Sequence, residues 1–350
     1  MLPIRVRKDL QQLGLDTQSQ ALIPQAGLSG AAVYRVGTYA IKSHPAASFD
    51  RLASVHRQQQ RWAQSVQGWI PRLRVWPSLL SSPAPTVLLA ELDAPPVHRP
   101  AGASLYSCWE CMDWLPGIHL ETIQEVTPGQ QTAVAHALGT LHALAPQAQS
   151  PPNGSRDDRM TERNRLLQEL LRSNFQQQHR DLERLATQPI PLDLLESIQN
   201  ALRSAKQIAL DCHRAMLQLA TQNNTRHWMH GDAWRGNWLF EADGVSGLID
   251  FSQADLRWPG FDFARAFGSM IQGPMRLWMD PWESYCQALS DRGLRPAFRL
   301  DEAYQMHRVS TVLTLARYLG EHHLFVSENG PSISRLREVC QQLVDGTAGY

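Results

Sequence analysis

The stretch RHWMHGDAWRGNWLFEADGVSGLIDF, Arg226 to Phe251, gathers a histidine, two aspartates and an asparagine around a short apolar hairpin. Asp243-Gly244 is a strong two-residue turn signal, because a type I′ turn needs positive φ at both centres. With those two residues as the loop, Ala242 faces Val245, Leu239 faces Leu248 and Asn237 faces Asp250. Directly opposed residues lie about 4.5–5.5 Å apart at Cβ, so an amide oxygen and a carboxylate meet at the open end. Such an oxygen-only pair suits Mg²⁺.

Asp232 precedes Asn237 across the loop DAWRG. The loop is long enough to turn Asp232 toward the same metal without making it a ligand. One carboxylate is then placed to accept a hydroxyl proton, while the other carboxylate and the amide hold the ion that gathers phosphate charge. That division of labour belongs to phosphoryl transfer.

Upstream, the first third of the chain is β-rich. AAVYRV and TYAIK are two β-type runs joined at Gly37-Thr38, and TVLLAEL and SLYSCWECMDWL predict two more strands. FDRLASVHRQQQRWAQSVQ, between these pairs, has the length and polarity of a helix. After Asp113 the pattern turns helical. Thr127, Pro128 and Gln130 spell a capping box with a proline at the first helical position, followed by Val134, Ala137, Leu138, Leu141 and Ala145 at helical spacing. Further helices are expected over Asp193–Ala220, around RMTERNRLLQELLRSN, and near Trp278–Ser290 and Glu302–His322. The expected fold class is α+β with two lobes: a small β-rich one over 1–113 and a large, mainly helical one over 114–350.

Composition narrows the partners. Thirty-three basic residues balance thirty-three acidic ones, and no basic run offers a nucleic-acid footprint. No apolar stretch approaches the length of a membrane span, and the N-terminus has no apolar signal region. Five scattered cysteines fit a reducing, cytoplasmic setting better than a disulfide framework. Only three lysines occur, Lys8, Lys42 and Lys206, among thirty arginines. A lysine kept against that bias points to a need for a compact ammonium.

HGDAWRGN followed by GLIDF resembles the aminoglycoside phosphotransferase and choline kinase family, whose pattern is His-Gly-Asp-x4-Asn and then Ile-Asp-aromatic. The resemblance implies a protein-kinase-like fold that binds ATP and Mg²⁺ and phosphorylates a hydroxyl of a small molecule. It casts Asp232 as the catalytic base, Asn237 and Asp250 as metal ligands, and His230 as a brace for the catalytic loop. Asp262 in FDFARAF matches the element that steadies this loop, and His142 in LHAL ends the first large-lobe helix. Arg235 and Trp234 lie inside the loop, where they would touch phosphate or acceptor, an exposed arginine being the equal alternative. Gly27, Ser29 and Gly30 in AGLSGAAVYRV are similar to the phosphate-binding glycine loop. Lys42 stands where a kinase keeps its phosphate lysine. Cys111, Met112 and Asp113, before Leu-Pro-Gly, resemble the hinge that meets the nucleotide base.

Three features bear on alternatives. The helix after Lys42 contains no glutamate to orient it, leaving His56, Gln58 or Gln59 as substitutes and an inactive kinase-fold scaffold as the rival reading. Cys108-x-x-Cys111 has a redox or zinc spacing but no second pair nearby. For the acceptor, Trp258, Trp278 and Trp282 would suit a cationic cage, although core packing in a helical lobe is the favoured reading of them. Asp255, Asp280, Glu283, Asp301 and Glu302 would attract an amino sugar but are diluted by neighbouring arginines. Amino alcohol, amino sugar, sugar and homoserine-like acceptors all stay open.

Overall fold

A computed structural model describes residues 2–15, 32–45, 48–66, 68–91, 106–120, 122, 125–145, 158–187, 190–221, 226–320 and 331–346. The contacts divide the chain into two compact units, one of Met1–His119 with Asn237–Ala254, the other of Leu120–Gly236 with Asp255–Tyr350.

The first unit is built on four antiparallel strands: β1 (Val33–Val36), β2 (Tyr39–Pro45), β3 (Leu88–Glu91) and β4 (Tyr106–Asp113), in the order β1-β2-β4-β3. The β1–β2 turn is the expected Gly37-Thr38, with Gly37 at φ 59°. Strand alternation sends Ile41, Trp109 and Cys111 to one face and Lys42, Cys108 and Glu110 to the other. The first face is covered by α1 (Ile4–Gln12), which buries Val6 and Leu10 against Val36, Ile41, Trp76 and Trp109. The sequence pattern was not assigned a helix here, because only Leu2, Val6 and Leu10 carry the apolar stripe in an otherwise polar segment. Helix α2 (Phe49–Ser65) sets Leu52 and Ala53 against Cys108 and Val87.

The hairpin of β6 (Trp238–Glu241) and β7 (Gly244–Leu248) belongs to this unit rather than to the second. Phe240 exchanges both backbone bonds with Ile118, at 2.8 and 3.1 Å, and Leu248 N–H donates to the Trp69 carbonyl at 2.8 Å. Trp69 also stacks on Trp238. The register departs from the expected one. Trp238 pairs with Leu248, a bulge follows Leu239, and Glu241 pairs with Gly244. The loop is therefore Ala242-Asp243, with positive φ only at Ala242. Asn237 thus opposes Ile249, whose N–H reaches the Asn237 carbonyl at 2.9 Å, and Asp250 sits one residue further on. The bulge leaves Ser246 unpaired between Leu239–Gly247 and Phe240–Val245, while on the other side of β6 the Phe240 backbone bonds Ile118.

The second unit is mainly helical: α3 (Pro128–Leu144), α4 (Asp158–Arg172), α5 (Gln176–Leu185), α6 (Leu192–Thr221), α7 (Gly260–Met270), α8 (Met279–Ser290), α9 (Leu300–Gly320) and α10 (Pro331–Asp345). The capping box forms as spelled, with Thr127 Oγ1 accepting the Gln130 N–H. The polar segment after Asp158 divides into α4 and α5 because Asn174 and Phe175 take positive φ. Strands β5 (His227–Met229) and β8 (Asp255–Arg257) pair antiparallel and bracket the hairpin in sequence. Trp258 and Trp278 are not a cage. Both are fully buried in an aromatic core with Phe263, Phe267, Tyr285 and Phe298. Among the described residues no helix is long and apolar enough to cross a membrane.

Candidate active site

In the first unit, β2 presents Lys42, and its ammonium donates to Asp250 Oδ1 at 2.5 Å. Asp250 holds φ 60° and ψ 66° and also accepts from the Ser252 hydroxyl at 2.7 Å. A left-handed aspartate is uncommon and is held here by these bonds. Lys42 is buried and Asp250 a third exposed, so the carboxylate keeps an outward side.

None of the three candidate substitutes for the missing glutamate bonds to Lys42. His56 and His44 instead both bond the carboxylate of Glu110, at 2.6 and 2.8 Å, and His56 is anchored further by Thr86 at 2.9 Å. Gln59 donates to the Pro71 carbonyl at 2.9 Å. Glu110 is the ladder partner of Lys42. The acid therefore lies on the sheet, with one basic partner, His44, beside it on β2 and the other, His56, on α2. A buried acid in the apolar run SCWECMDW was the signal for it.

Burial pushes the Glu110 carboxyl up, but His44 and then His56 outweigh it and hold the group well below its usual range. Glu110→Ala, by orphaning two buried histidines, is expected to cost about 3–5 kcal/mol at neutral pH, read as a lowered urea midpoint. Because the folded pKa is depressed, Glu110's contribution is complete above the ordinary carboxylate pKa of about 4.3 and fades as pH falls toward the depressed value. The gap between wild type and variant should narrow there. A constant gap from pH 7 to pH 3 would refute the assignment.

The hinge residues are partly engaged. The Arg74 N–H donates to the Cys111 carbonyl at 2.8 Å, and the Asp113 N–H donates to the Arg72 carbonyl at 3.0 Å. Cys108 and Cys111, three apart on a strand, point to opposite faces, and burial pushes their thiols up to about 11 and about 12. A shared metal or a reactive thiolate is ruled out by that geometry and protonation. Gly27, Ser29 and Gly30 lie outside the described residues.

In the second unit the loop from His230 to Gly236 is held from behind by α7. Asp262, 1% exposed, accepts the His230 N–H at 2.7 Å and the Gly231 N–H at 2.8 Å. His142 Nε2 lies 3.4 Å from the same carboxylate, and His142 Nδ1 meets the Tyr285 hydroxyl at 2.9 Å. Gly231 takes φ 81°, which explains the glycine between His230 and Asp232. The Asp232 N–H then donates to His230 Nδ1 at 3.3 Å. Arg235 is buried rather than turned to phosphate or acceptor. Its guanidinium donates to the Ser269 carbonyl at 2.7 Å and to Glu338 at 3.0 Å, fastening the loop to α7 and α10.

One neighbour was missed from sequence. Arg265 Nε donates to Asp232 Oδ1 at 2.8 Å. Its signal was available, since Arg265 follows Asp262 by three on α7 and shares its side of the helix.

The donor set at the hairpin, an asparagine and an aspartate, fits a hard cation that takes one or two carboxylates and fills its shell with phosphate and water. Among the described residues no three His, Cys, Asp or Glu side chains gather as a metal cage.

Solved structures with the same fold include amicoumacin kinase hAmiN in complex with AMP-PNP, Ca²⁺ and Ami, at 12% identity and TM-score 0.52 over 96% of this chain and 92% of that one. A microcompartment-associated aminopropanol kinase matches at 13% identity and TM-score 0.54, over 97% and 95%. An aminoglycoside phosphotransferase from Alicyclobacillus acidocaldarius subsp. acidocaldarius matches at 14% identity and TM-score 0.52, over 95% and 96%. No curated protein matches the sequence. The family model described as "Phosphotransferase enzyme family" matches residues 24–300, and the chain belongs to that family.

Proposed function

We propose that the protein transfers the γ-phosphoryl group of ATP to a hydroxyl of a small molecule in the cytoplasm. The observation that carries this reading is the intact pair of half-sites: Lys42 with Asp250 in one unit, and a loop braced by Asp262 that presents Asp232 in the other. An inactive scaffold would have no need of both.

Asp232 takes the acceptor's hydroxyl proton. The hydroxyl oxygen forms the new P–O bond as the bond from the γ-phosphorus to the ADP oxygen breaks. Lys42 gives the phosphates a point charge. Asn237 and Asp250 are the residues that would hold Mg²⁺, which when bound neutralises charge building on the β- and γ-phosphates. Asp262 and His230 fix the loop, so that Asp232 loses little entropy in meeting the acceptor.

Calorimetry of ATP binding to the purified protein, with and without Mg²⁺, tests the nucleotide half. Magnesium-dependent binding in the micromolar range is expected, about −8 kcal/mol at 1 μM. No binding under either condition favours the scaffold.

A further inference from the structure

Arg265 does more than touch Asp232. It spends only Nε on that carboxylate, its side chain is 44% exposed, and its two terminal amines bond to none of the described residues. Beside it the Trp234 ring lies 5.9 Å from the guanidinium. One helical turn back on α7 is Phe261, with the Arg163 guanidinium of α4 stacked at 4.7 Å over its ring. Next to Asp232 the molecule thus carries the exposed Arg265 beside the half-buried Trp234, and one turn away the half-buried Arg163 lies on the buried Phe261.

The charge behind Arg265 has the same sign. Arg235 and Arg335 share the single carboxylate of Glu338. Arg335 has its charge disfavoured first by burial, and then by Arg265 and Arg235 against Glu338's support. Three of the five acids that would draw a polycation are committed elsewhere, and the other two, Asp280 and Glu283, stand on α8 rather than beside Arg265. Asp255 pairs with Arg257 at 2.9 Å, Asp301 with Arg299 at 2.9 Å, and Glu302 with the same Arg299 at 3.7 Å.

We propose that the acceptor is an anionic hydroxy compound whose carboxylate docks on the terminal amines of Arg265 while its hydroxyl meets Asp232. A guanidinium binds a carboxylate through two parallel N–H bonds, and here one planar group holds both the base and the acceptor's anion. The acceptor's hydroxyl and carboxylate are therefore linked by a short carbon chain. A polycationic amino sugar would meet uncompensated arginine charge at the same place. The inference rests on the phosphotransferase reading of Asp232.

The test is ADP release by the full-length protein at saturating Mg²⁺-ATP. Acceptors are small hydroxy acids, the amides and amino alcohols of matching chain length, and kanamycin. The hydroxy acids are expected to exceed their amides and amino alcohols by about tenfold or more in kcat/KM, roughly one charge-assisted contact. Arg265→Gln should erase that ratio through KM, and Arg265→Lys, which keeps charge but loses the fork, should restore part of it. ATP calorimetry on each variant confirms that the fold survives. Preference for amino alcohols or kanamycin overturns the proposal. So does an equal loss on all three matched classes in Arg265→Gln, which would make Arg265 a brace for Asp232 only. Turnover in no class, with Mg²⁺-ATP still bound, brings down the phosphotransferase reading and this inference with it.

Discussion

Asp232→Asn yields a folded protein that binds Mg²⁺-ATP as tightly as wild type and turns over about 10²–10⁴-fold more slowly. That range is the usual worth of a positioned general base. The change is isosteric, and the loop is held mainly by bonds that the substitution leaves alone: His230 and Gly231 N–H to Asp262, and Arg235 to Ser269 and Glu338. What disappears is the proton acceptor and the charge facing Arg265 Nε. Full activity in this variant would remove the base assignment. Loss of nucleotide binding together with turnover would mean that Asp232 supports the fold and not the chemistry. A double-mutant cycle with Arg265→Gln then separates the two possible jobs of Arg265. If Arg265 only orients Asp232, its loss costs nothing further once the carboxylate has gone. If it holds the acceptor, KM for hydroxy acids rises in the Asp232→Asn background too.

How far the sequence could be read depended on whether a signal was local. The capping box at Thr127–Gln130 is complete within four residues and forms as spelled. The Gly37-Thr38 turn is likewise written in adjacent residues. Asp262 and His142 were identified through the family pattern, and they converge on the loop. Non-local bonds were invisible. The hairpin sits beside Ile118, which takes both backbone bonds of Phe240 from a part of the chain more than a hundred residues away, and its register is shifted by a bulge at Ser246. No turn signal at Asp243-Gly244 could report that. Glu110 and His56 are 54 positions apart, so nothing local to α2 announces that its histidine pairs with an acid on β4. The tryptophans pack as core, the reading their helical setting favours. Their clustering in sequence is real, but a helical unit buries such residues by default, and Trp258 and Trp278 obey that default.

Asp250→Asn is expected to weaken Mg²⁺-dependent ATP binding by about 10²-fold or more. The variant loses one of the only two protein ligands assigned to the ion, and the one that carries charge. Asparagine is the right probe because Asp250 sits at φ 60°, a region that Asn adopts at lower cost than most other residues. The sign of a second effect distinguishes lost metal binding from general damage. In the wild type, Asp250 Oδ1 holds the Lys42 ammonium at 2.5 Å. It also sets a negative charge where the phosphates must come. Without metal, the substitution removes that repulsion and frees Lys42, so metal-free ATP binding should hold or tighten while the Mg²⁺-dependent part collapses. Calorimetry at matched ionic strength, with EDTA or with Mg²⁺, reads both. Unchanged affinity in Mg²⁺ would sink the metal role. Equal weakening in both conditions would instead assign Asp250 to holding Lys42 in place, because a buried ammonium without its partner reorganises rather than waits for phosphate.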